Sequence, residues 1–570
     1  MSREAFLPRF SDPKDVDTFV EKLALFESGQ ISSEEFRAFR LLRGVYGQRQ
    51  SDVQMIRVKI PFGRLFPVQL EALATVADRF SRGYGHVTTR QNVQFHFVKM
   101  SEAEATLRVL DEAGLTTREA CGNSVRTVTA CEVASVCEGA AFDVTPYAEA
   151  VTRMLLRHPL SSSLPRKFKI AFSGCARDCA MGAINDLGFI AQVQDGERGF
   201  KVLAAGGLST TPQAAIVLHD FVRAGEISRV AETVVRMFHA LGNRENKHRA
   251  RLKYVLRKLG EGGFRQEYAR RRAEVDAEAL AEIVEAPQPA TTPAPPVLDE
   301  SAPRAAGYLA WKASAVFTQK QAGYSAVYVR LPLGDVTSAQ LRALGELATR
   351  FGDGSVLLSI DQNLVLPWVD TRSLPAIHRA LVELGLAELD RGTARDVTSC
   401  PGAESCNLAV TGSRSLGRAI TDRLEGEVAH ALRGFAKTTI KISGCPNSCG
   451  QHHVADLGFH GAVKNANGVA VPMYQLHLGG GVDANGARFG RQVVKIIARR
   501  VPDAVVALLE LFESDGQAGE EPAAFFKRVE PKRVVEALGP LLGPALPGEE
   551  TDIGETQGFQ VAIGAGECAA

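Results

Sequence analysis

The feature that most constrains this chain is an internal duplication with an offset of about 270 residues. IRVKIPFG at 56–63 matches VYVRLPLG at 327–334, and RQNVQFHFV at 90–98 matches DQNLVLPWV at 361–369. Later in each half, VRTVTAC matches ARDVTSC, SGCARDC matches SGCPNSC, and DLGF occurs twice, all in the same order. Similarity repeated at one spacing indicates repeated structural units. We therefore expect two halves of related fold.

Eight of the ten cysteines follow this duplication. The two sets share both spacings and are Cys131-x5-Cys137 with Cys175-x3-Cys179, and Cys400-x5-Cys406 with Cys445-x3-Cys449. Only Cys121 and Cys568 fall outside them. Ten cysteines are too few for a disulfide scaffold in 570 residues, so we expect metal ligands or catalytic thiols. A five-residue gap is poor for zinc, whereas iron–sulfur ligation by four cysteines tolerates it; the alternative is unligated buried thiols.

Charge and hydropathy exclude several classes of protein. The chain has 66 Lys+Arg against 65 Asp+Glu, which argues against nucleic-acid binding through bulk charge. No apolar stretch approaches the roughly 18 residues of a membrane helix, and the N-terminus has no apolar signal region. We expect a soluble cytoplasmic protein that acts neither on nucleic acid nor in a membrane.

Local patterns predict mixed α and β structure. MIRVKIP and HVTTRQNVQFHFV read as strands, and PVQLEALATVADRFSRGYG between them reads as a helix that ends at glycine. Residues 244–272 read as a strongly basic helical region, and a Pro/Ala/Thr-rich stretch beyond Glu285 reads as a linker between the halves. A chain of this length also exceeds a single hydrophobic core.

At these motifs the sequence resembles the sirohaem-dependent nitrite and sulfite reductases. TSCPGAESC and SGCPNSCG are similar to the family's paired cluster motifs. TTRQNVQFH at 88–96, CGNSVRTV at 121–128 and LPRKFK at 164–169 are similar to its sirohaem and substrate segments. The resemblance runs from YGQRQ at 46–50 to about position 530.

The resemblance implies an α+β, internally duplicated nitrite/sulfite reductase fold. Two α/β haem-and-cluster domains would join a two-part ferredoxin-like domain that embraces both halves. The implied boundaries are 1–120 for the first ferredoxin-like half, 121–284 for the first cluster-type domain, 285–306 for the linker, 307–390 for the second ferredoxin-like half, 391–545 for the second cluster domain and 546–570 for a tail.

The resemblance also implies a site. Cys400, Cys406, Cys445 and Cys449 would ligate one 4Fe-4S cluster, and Cys449 would also bridge to the sirohaem iron. The implied substrate-binding and catalytic residues are Arg57, Arg126, Lys167 and Lys169. The implied sirohaem-binding residues are Arg90, Gln94, His96, Arg166 and Asn447. Arginine offers a fixed fork for anion oxygens, while a lysine is the better proton donor, so Lys167 and Lys169 are the candidate acids.

Two positions depart from the family pattern. His86 stands where the family often has an arginine, so we expect one sirohaem carboxylate to be held differently. Some members cross-link a tyrosine to a cysteine two residues before the substrate arginine. That position is Ser124 here, so a cross-link to Tyr46 is not expected there.

The first half keeps its four cysteines, and symmetry therefore predicts a mirror site. The counterparts of Arg57, Arg90, Arg126, Lys167 and Lys169 are Tyr328, Asp361, Arg395, Lys437 and Thr439. A carboxylate facing a sirohaem carboxylate is repulsive. We expect Cys131, Cys137, Cys175 and Cys179 to hold a second 4Fe-4S cluster without competent sirohaem; the alternative is a vestigial thiol set.

The expected activity is six-electron reduction of sulfite to sulfide, because Lys169 is kept in the family's sulfite-type members. Reduction of nitrite to ammonium is the first alternative, and a non-catalytic electron-transfer protein is the second. No flavin or nicotinamide fingerprint is evident, so ferredoxin or a flavoprotein would donate the electrons. The basic run of Lys247, Arg249, Arg251, Lys253, Arg257 and Lys258 is either a docking surface or a solvated helix face. Cys568 is given no role.

Overall fold

The computed structural model describes residues 8–278, 304–426, 431–466, 468–561 and 567. The predicted linker at 285–306 falls outside these residues except for its last three positions, and Cys568 falls outside them too. Within the part described, no helix combines the length and apolar character needed to cross a bilayer.

The first 120 residues build half of a sheet-and-helix module. The side chain of Asp12 caps the first helix by accepting from the Lys14 amide, and Phe19 on that helix is fully buried. The elements are α1 (Pro13–Glu27), α2 (Ser33–Leu41), β1 (Val45–Gly47), β2 (Val53–Val58), β3 (Arg64–Leu65), α3 (Pro67–Phe80), β4 (Tyr84–Val87), β5 (Val93–Lys99) and α4 (Ala103–Glu112).

The first thiol module follows and carries the first-half cysteines. Its elements are β6 (Thr129–Ala130), α5 (Thr145–Leu155), β7 (Ile170–Ser173), β8 (Leu187–Gln194), β9 (Glu197–Ala204), β10 (Ile216–Arg223), α6 (Ile227–Leu241) and α7 (Leu252–Asp276). The sheet order is β10-β9-β8-β7-β6, in which β6, β7 and β8 are parallel and the remaining pairs are antiparallel. Helix α7 begins only at Leu252, and before it only a 3₁₀ turn at Lys247–Arg249 is helical, so the predicted helical region at 244–272 is wrong for the other five of its first eight residues.

The second half repeats both modules. Its sheet-and-helix part contains α8 (Tyr308–Ala315), β11 (Val316–Thr318), β12 (Tyr324–Val329), β13 (Asp335–Thr337), α9 (Ser338–Phe351), β14 (Val356–Leu358), β15 (Leu364–Asp370) and α10 (Leu374–Glu383). The second thiol module contains β16 (Thr398–Ser399), α11 (Ser413–Arg423), β17 (Ile440–Ser443), β18 (Leu457–Ala466), β19 (Val469–Leu478), β20 (Gly481–Asp483), β21 (Gly486–Arg488), β22 (Arg491–Ile497), α12 (Val501–Asp515), α13 (Pro522–Arg528) and α14 (Pro531–Ala537).

The two sheet-and-helix parts exchange a strand and form one paired module. The sheets are ordered β1-β2-β5-β4-β13 and β11-β12-β15-β14-β3, so each contains a strand from the other half. Asp335 of β13 lies opposite His86, and Leu65 of β3 lies opposite Val356. One hydrophobic core joins both parts, with Trp311 fully buried in it. The α+β, duplicated architecture with a two-part embracing module is confirmed.

The two halves share a turn at a point where the sequence analysis predicted one continuous strand. HVTTRQNVQFHFV is divided into β4 and β5 by a turn that contains Gln91 at φ 54°, and Gln362 at φ 68° divides β14 from β15. The buried Gln91 amide donates to the carbonyls of Ala130 and Leu358, each at 2.8 Å. The single-strand prediction is therefore wrong, because this glutamine turns inward to link three elements.

Candidate active site

The second-half cysteines lie at the carboxyl ends of two adjacent parallel strands. Cys400 follows β16 directly, and Cys445 comes two residues after β17. These strands pair in parallel, with Ser399 opposite Ile442. Since the carboxyl ends of parallel strands meet at one edge of a sheet, the loops that follow carry all four thiols to one place. The four line a single cavity.

The surroundings of these sulfur atoms suit an anionic inorganic cluster. The Gly444 amide donates to Cys400 Sγ at 3.3 Å. A Cβ on Gly450 would lie 1.9 Å from the Ile442 carbonyl, so only glycine permits this close turn. Burial raises the pKa of the Cys445 thiol, and no described cysteine forms a disulfide. Four thiols outside any disulfide, with a backbone amide donor beside them, are a suitable donor set for 4Fe-4S.

A cavity of about 240 Å³ opens in front of the thiols. The predicted residues on its wall are Arg57, Gln94, His96, Arg166, Lys167 and Asn447, together with the four cysteines. Arg57 comes from β2, and Gln94 and His96 come from β5, whereas the thiols come from the second thiol module. First-half cations therefore face second-half sulfur ligands across one space.

Arg126 lines neither this cavity nor a smaller pocket beside it. It lies close to Arg57, which does line the cavity. Its guanidinium donates to the Ala120 carbonyl at 3.0 Å and to the Gly122 carbonyl at 2.8 Å. The Ala120 oxygen also accepts from Arg57 at 3.3 Å. The two guanidinium groups thus meet at one carbonyl, with Arg57 on the cavity side.

Arg90 and Lys169 line a smaller pocket that shares the Cys449 residue with the main cavity. Burial, followed by the charge of Arg126, lowers the pKa of Arg90 to about 9. Burial and the charge of Arg90 hold the pKa of Lys169 well below its ordinary value. Cations that lower one another's pKa in this way create a positive electrostatic potential in the pocket. A bound anion would reduce that potential.

The basic run contributes to this cavity rather than only to the surface. Arg251 is buried and forms a two-pronged ion pair with Asp186, at 2.7 Å and 3.2 Å. Lys253 is 1% exposed and donates to the Leu208 and Thr211 carbonyls. The interpretation of the whole run as a docking surface or solvated face is therefore wrong for these two residues. Arg251 and Lys253 line the cavity, as does Lys247.

Two family models match the chain. The nitrite and sulphite reductase 4Fe-4S domain matches residues 121–276 and 391–539. The nitrite/sulfite reductase ferredoxin-like half domain matches residues 46–113 and 317–384. The chain belongs to this family. The resemblance that the motifs indicated is thereby confirmed, and the protein is an oxidoreductase of the nitrite/sulfite reductase family.

Curated relatives and a solved structure agree with this assignment. A ferredoxin–nitrite reductase from Synechococcus elongatus is 30% identical over 462 residues, which cover 80% of this chain and 85% of that protein. A ferredoxin sulfite reductase from Mycobacterium tuberculosis is 30% identical over 487 residues, covering 84% and 82%. The structure of the M. tuberculosis NirA protein superposes with a TM-score of 0.77 at 26% identity, covering 91% of this chain and 95% of that one.

Reductases of this family carry sirohaem coupled to a 4Fe-4S cluster, and the residues of the cavity fit both. The four thiols that line the cavity would supply the cluster ligands. His96 lies on the wall with both ring nitrogens buried and without a partner, and burial holds its pKa well below the ordinary value. A neutral imidazole with two unused nitrogens beside several cations suits a carboxylate-bearing macrocycle.

Residues that the sequence analysis did not select also reach the cavity. Glu567, in the tail, accepts from the Gly47 amide at 2.6 Å and pairs with Arg40. It lines the cavity beside Tyr46. No motif marks this glutamate, because its partners are more than 500 residues away in the chain.

The two residues that depart from the family pattern, His86 and Ser124, both have hydrogen-bond partners inside the protein. His86 is buried and bonds to Asp335 of the exchanged strand at 3.1 Å, rather than lining the main cavity. Ser124 is buried and donates to the carbonyls of Glu119 and Cys121. Tyr46 packs in a small buried cluster that contains Cys121.

The mirror position is filled by a different set of side chains. Tyr328 donates to Glu132 at 3.3 Å, and the Arg391 guanidinium lies 3.3 Å above the Tyr328 ring. Asp361 pairs with Lys441 at 2.9 Å. Burial raises the pKa of Glu132 to about 7. An aromatic ring and carboxyl groups thus replace the cations of the main cavity.

The other three mirror counterparts, Arg395, Lys437 and Thr439, bond to carboxylates of the second half. Lys437 is exposed and pairs with Glu521 at 2.8 Å, and Arg395 pairs with Asp390. Thr439 donates to Asp456 at 2.8 Å. The charges of Arg395 and Lys437 are thus paired with carboxylates, and Thr439 has no charge to offer an anion.

The first-half thiols nevertheless keep a compact arrangement. Cys131 and Cys175 both hydrogen-bond to Cys179, and this bonding, chiefly with Cys131, lowers the pKa of Cys179 to about 6. Arg177 donates to Cys137 Sγ at 3.4 Å. A cation facing the sulfur atoms favours their thiolate form.

Proposed function

We propose that this reductase converts sulfite to sulfide in the cavity between the first-half cations and the second-half thiols. The observation that carries the proposal is this convergence: four cysteines and several basic side chains from the other half share one cavity wall. A site that only relays electrons has no need for so many cations around one space. Bound sirohaem and cluster would supply the electrons of the six-electron reduction.

The chain's own residues would bind the anion and hold protons. Arg57, braced by the carbonyl it shares with Arg126, presents a guanidinium fork to the anion oxygens. Lys167 on the cavity wall and Lys169 in the adjoining pocket are the proposed proton donors. Burial, then the charge of Arg90, lowers the pKa of Lys169, and an ammonium group with a lowered pKa is a stronger acid.

Sulfite is preferred because a second lysine suits a dianion better than the monoanion nitrite. The test measures kcat/KM for both anions with reduced viologen, and compares Lys169→Asn with Lys437→Asn. The control alters the exposed counterpart of Lys167 in the other half. We expect Lys169→Asn to lower the sulfite-to-nitrite ratio by about tenfold or more and the control to leave it unchanged.

Reduction of nitrite to ammonium is the alternative that the name of the S. elongatus relative supports. A wild-type preference for nitrite would replace the sulfite proposal with this one. If neither sulfide nor ammonium is released while the reduced protein still passes electrons to an acceptor, the protein is an electron carrier and both proposals fail.

We propose ferredoxin as the electron donor, in keeping with the names of both relatives. The exposed cations of the basic run are Lys247, Arg249, Arg257 and Lys258. Lys247 itself lines the cavity, and the other three are close in the sequence to Arg251 and Lys253, which also line it. Reversing the charges of Arg249 and Lys258 should raise the KM for reduced ferredoxin without changing the viologen-driven rate. An unchanged KM, or equal activity with a flavoprotein alone, would contradict this assignment.

We also propose that Cys131, Cys137, Cys175 and Cys179 hold a second 4Fe-4S cluster that does not face sirohaem. Their compact thiol arrangement and the Arg177 contact support it, and the filled mirror position argues against anion chemistry there. Iron and acid-labile sulfide are counted in the holoprotein, with Cys179→Ser as the test and Cys121→Ser as the matched thiol control. We expect about nine irons per chain, falling to about five in Cys179→Ser only. A count of about five in the wild type would show a vestigial thiol set.

A further inference from the structure

Four histidines cluster in the second thiol module, outside the cavity already described. His452 and His453 lie in the turn before β18, His460 lies on β18, and His477 lies on β19. Neighbouring ring centroids are 4.1–4.9 Å apart. In the described part of the chain, His452, His453 and His477 are the one group of three or more His, Cys, Asp or Glu residues whose ligand atoms all lie within 4.8 Å of one another.

The backbone is shaped to bring these rings together. Gly458 lies opposite His477 in the β18–β19 ladder, so His460, two residues further on, is a diagonal neighbour of His477 on the same face. A Cβ on Gly458 would lie 1.8 Å from the His452 carbonyl, and one on Gly480 would lie 2.2 Å from the His453 carbonyl. Glycine at both positions lets the turn sit directly against the strands.

His452 has the environment of an unused ligand. It is fully buried, and neither of its ring nitrogens has a hydrogen-bond partner. A buried polar group without a partner costs roughly 1–3 kcal/mol. A metal ion bound to one nitrogen would remove part of that cost, because coordination takes the place of the missing hydrogen bond.

Hydrogen bonds orient two of the other rings for coordination. His453 Nε2 lies 3.0 Å from the Ser209 carbonyl, which can only accept, so this nitrogen carries the proton and Nδ1 is left with its lone pair. His460 Nδ1 lies 2.7 Å from His477 Nε2. A metal-bound histidine typically donates its second nitrogen in this way. Burial lowers the pKa of His453 to about 4 and that of His477 to about 3, so both rings are neutral at physiological pH.

The duplication shows that the fold itself does not require histidine here. By the offset of the DLGF motif and by the strand register, the first-half counterparts of His452, His453, His460 and His477 are Gly182, Ala183, Ile190 and Leu203. The same turn and the same strand pair thus form with small and apolar residues. Four histidines at positions that an identical local fold fills without them indicate a separate chemical purpose.

We propose that His452, His453 and His477 bind one Zn²⁺ ion, with His460 as a positioning residue that holds His477. Imidazole nitrogens suit zinc, cobalt, nickel and copper ions, and we commit to zinc because it has no geometric preference of its own and no redox change in a buried site. Zn–N bonds of about 2.0–2.1 Å place tetrahedral ligands about 3.3 Å apart, so side-chain rotations of modest size complete the site. His460 is only half-buried and marks the route from solvent.

The site would join the two thiol modules. His453 bonds to Ser209 of the first module, and Ser209 lines the cavity and lies 3.4 Å from Asn447. His452 follows the predicted bridging ligand Cys449 by three residues. A metal at this point would hold the loop that follows the cysteine pair against the strands behind it.

The test measures zinc per chain in holoprotein purified without a metal-affinity step, together with the zinc X-ray absorption spectrum. We expect about one zinc per chain with three imidazole nitrogens at about 2.0 Å. His452→Gln and His477→Gln should lose at least about 90% of the zinc and keep their iron. His378→Gln is the matched control, since His378 is also buried, with Nδ1 unpartnered, but lies in the paired module.

Several outcomes would overturn the proposal. The first is wild-type protein that contains no zinc and binds no added Zn²⁺ in a calorimeter. The second is His452→Gln protein that keeps its zinc. The third is wild-type protein that contains another metal instead of zinc. Should both glutamine variants fail to fold, the wild-type spectrum still decides. Sulfur neighbours at about 2.3 Å would place the zinc in a cysteine set and refute the histidine site.

Discussion

Lys253 allows the positive field of the cavity to be measured through the stability of the protein. The residue is 1% exposed, and its ammonium donates to three backbone carbonyls, those of Gly207, Leu208 and Thr211. Burial, then the charges of Arg251 and Arg257, lowers its pKa from 10.5 to about 7. The perturbation is Lys253→Met in protein prepared without sirohaem, since methionine keeps a similar length and removes the charge.

The sign and size follow from proton linkage. Between about pH 7 and 10.5 the unfolded chain binds a proton at Lys253 that the folded chain does not, so the stability of the wild type rises with pH. At about 1.36 kcal/mol per pKa unit, the charged lysine costs the folded state about 5 kcal/mol at pH 6 and about 1–2 kcal/mol at pH 9.5. The stability advantage of Lys253→Met should therefore shrink by about 3 kcal/mol across this range. The loss of the lysine's hydrogen bonds is common to both pH values and cancels.

The assay is urea unfolding followed by circular dichroism at pH 6 and pH 9.5, with Lys437→Met as the control because Lys437 is exposed. A difference between wild type and Lys253→Met that stays constant within about 1 kcal/mol would refute the reasoning. Sirohaem carries carboxylates, and its binding in the cavity that Lys253 lines should raise the pKa again. The pH-dependent difference should accordingly diminish in the holoprotein.

Three further substitutions test other parts of the structure. Asp186→Asn should lower the free energy of unfolding by about 3–5 kcal/mol, because it leaves buried Arg251 unpaired. Asp456→Asn, the matched change in the second half, should lower it by about 1–2 kcal/mol. Both are measured by urea unfolding, and equal losses would contradict the role of the ion pair. Gly458→Ala should destabilise by about 3 kcal/mol because the new Cβ would meet a backbone carbonyl at 1.8 Å, and a melting temperature within about 1 °C of wild type would disprove that clash. Cys449→Ser should abolish anion reduction and alter the visible spectrum of the sirohaem; an unchanged spectrum would rule out the proposed bridge.

Local sequence patterns were sufficient for the parts of the fold that depend on short-range order. Periodicity alone predicted a helix over 67–85 and a strand over 55–61, and the structure has them at Pro67–Phe80 and Val53–Val58. The two elements are therefore confirmed, while their ends differ by up to five residues. The cysteine spacings placed four thiols together because each pair follows one of two adjacent parallel strands. The strand exchange could not be predicted in the same way. β3 and β13 are only two and three residues long, and their partners lie more than 240 residues away.

The wrong predictions concern side chains that bond to elements far away in the sequence. Gln91 looks like an ordinary strand residue in the sequence, yet its inward-turned amide ends the strand. Lys253 looks like one more cation on a basic helix, yet its ammonium is buried against the carbonyls of another loop. The histidine cluster carries a visible signal, the HH pair three residues after Cys449, but only the strand register shows that two further histidines join it.

The duplication gives a physical reason for proposing a reactive site in one half of the protein and none at the mirror position of the other. Both halves place thiols at the ends of parallel strands, so the cluster geometry is a property of the shared fold. The facing wall is not shared: Arg57 on one side corresponds to Tyr328 on the other, whose hydroxyl bonds to Glu132. An anion bound there would meet an aromatic ring and a carboxyl group, which repels it when ionised. Restoring catalysis to the mirror position would therefore require replacing both Tyr328 and Glu132, since a single arginine would pair with the carboxylate that remains.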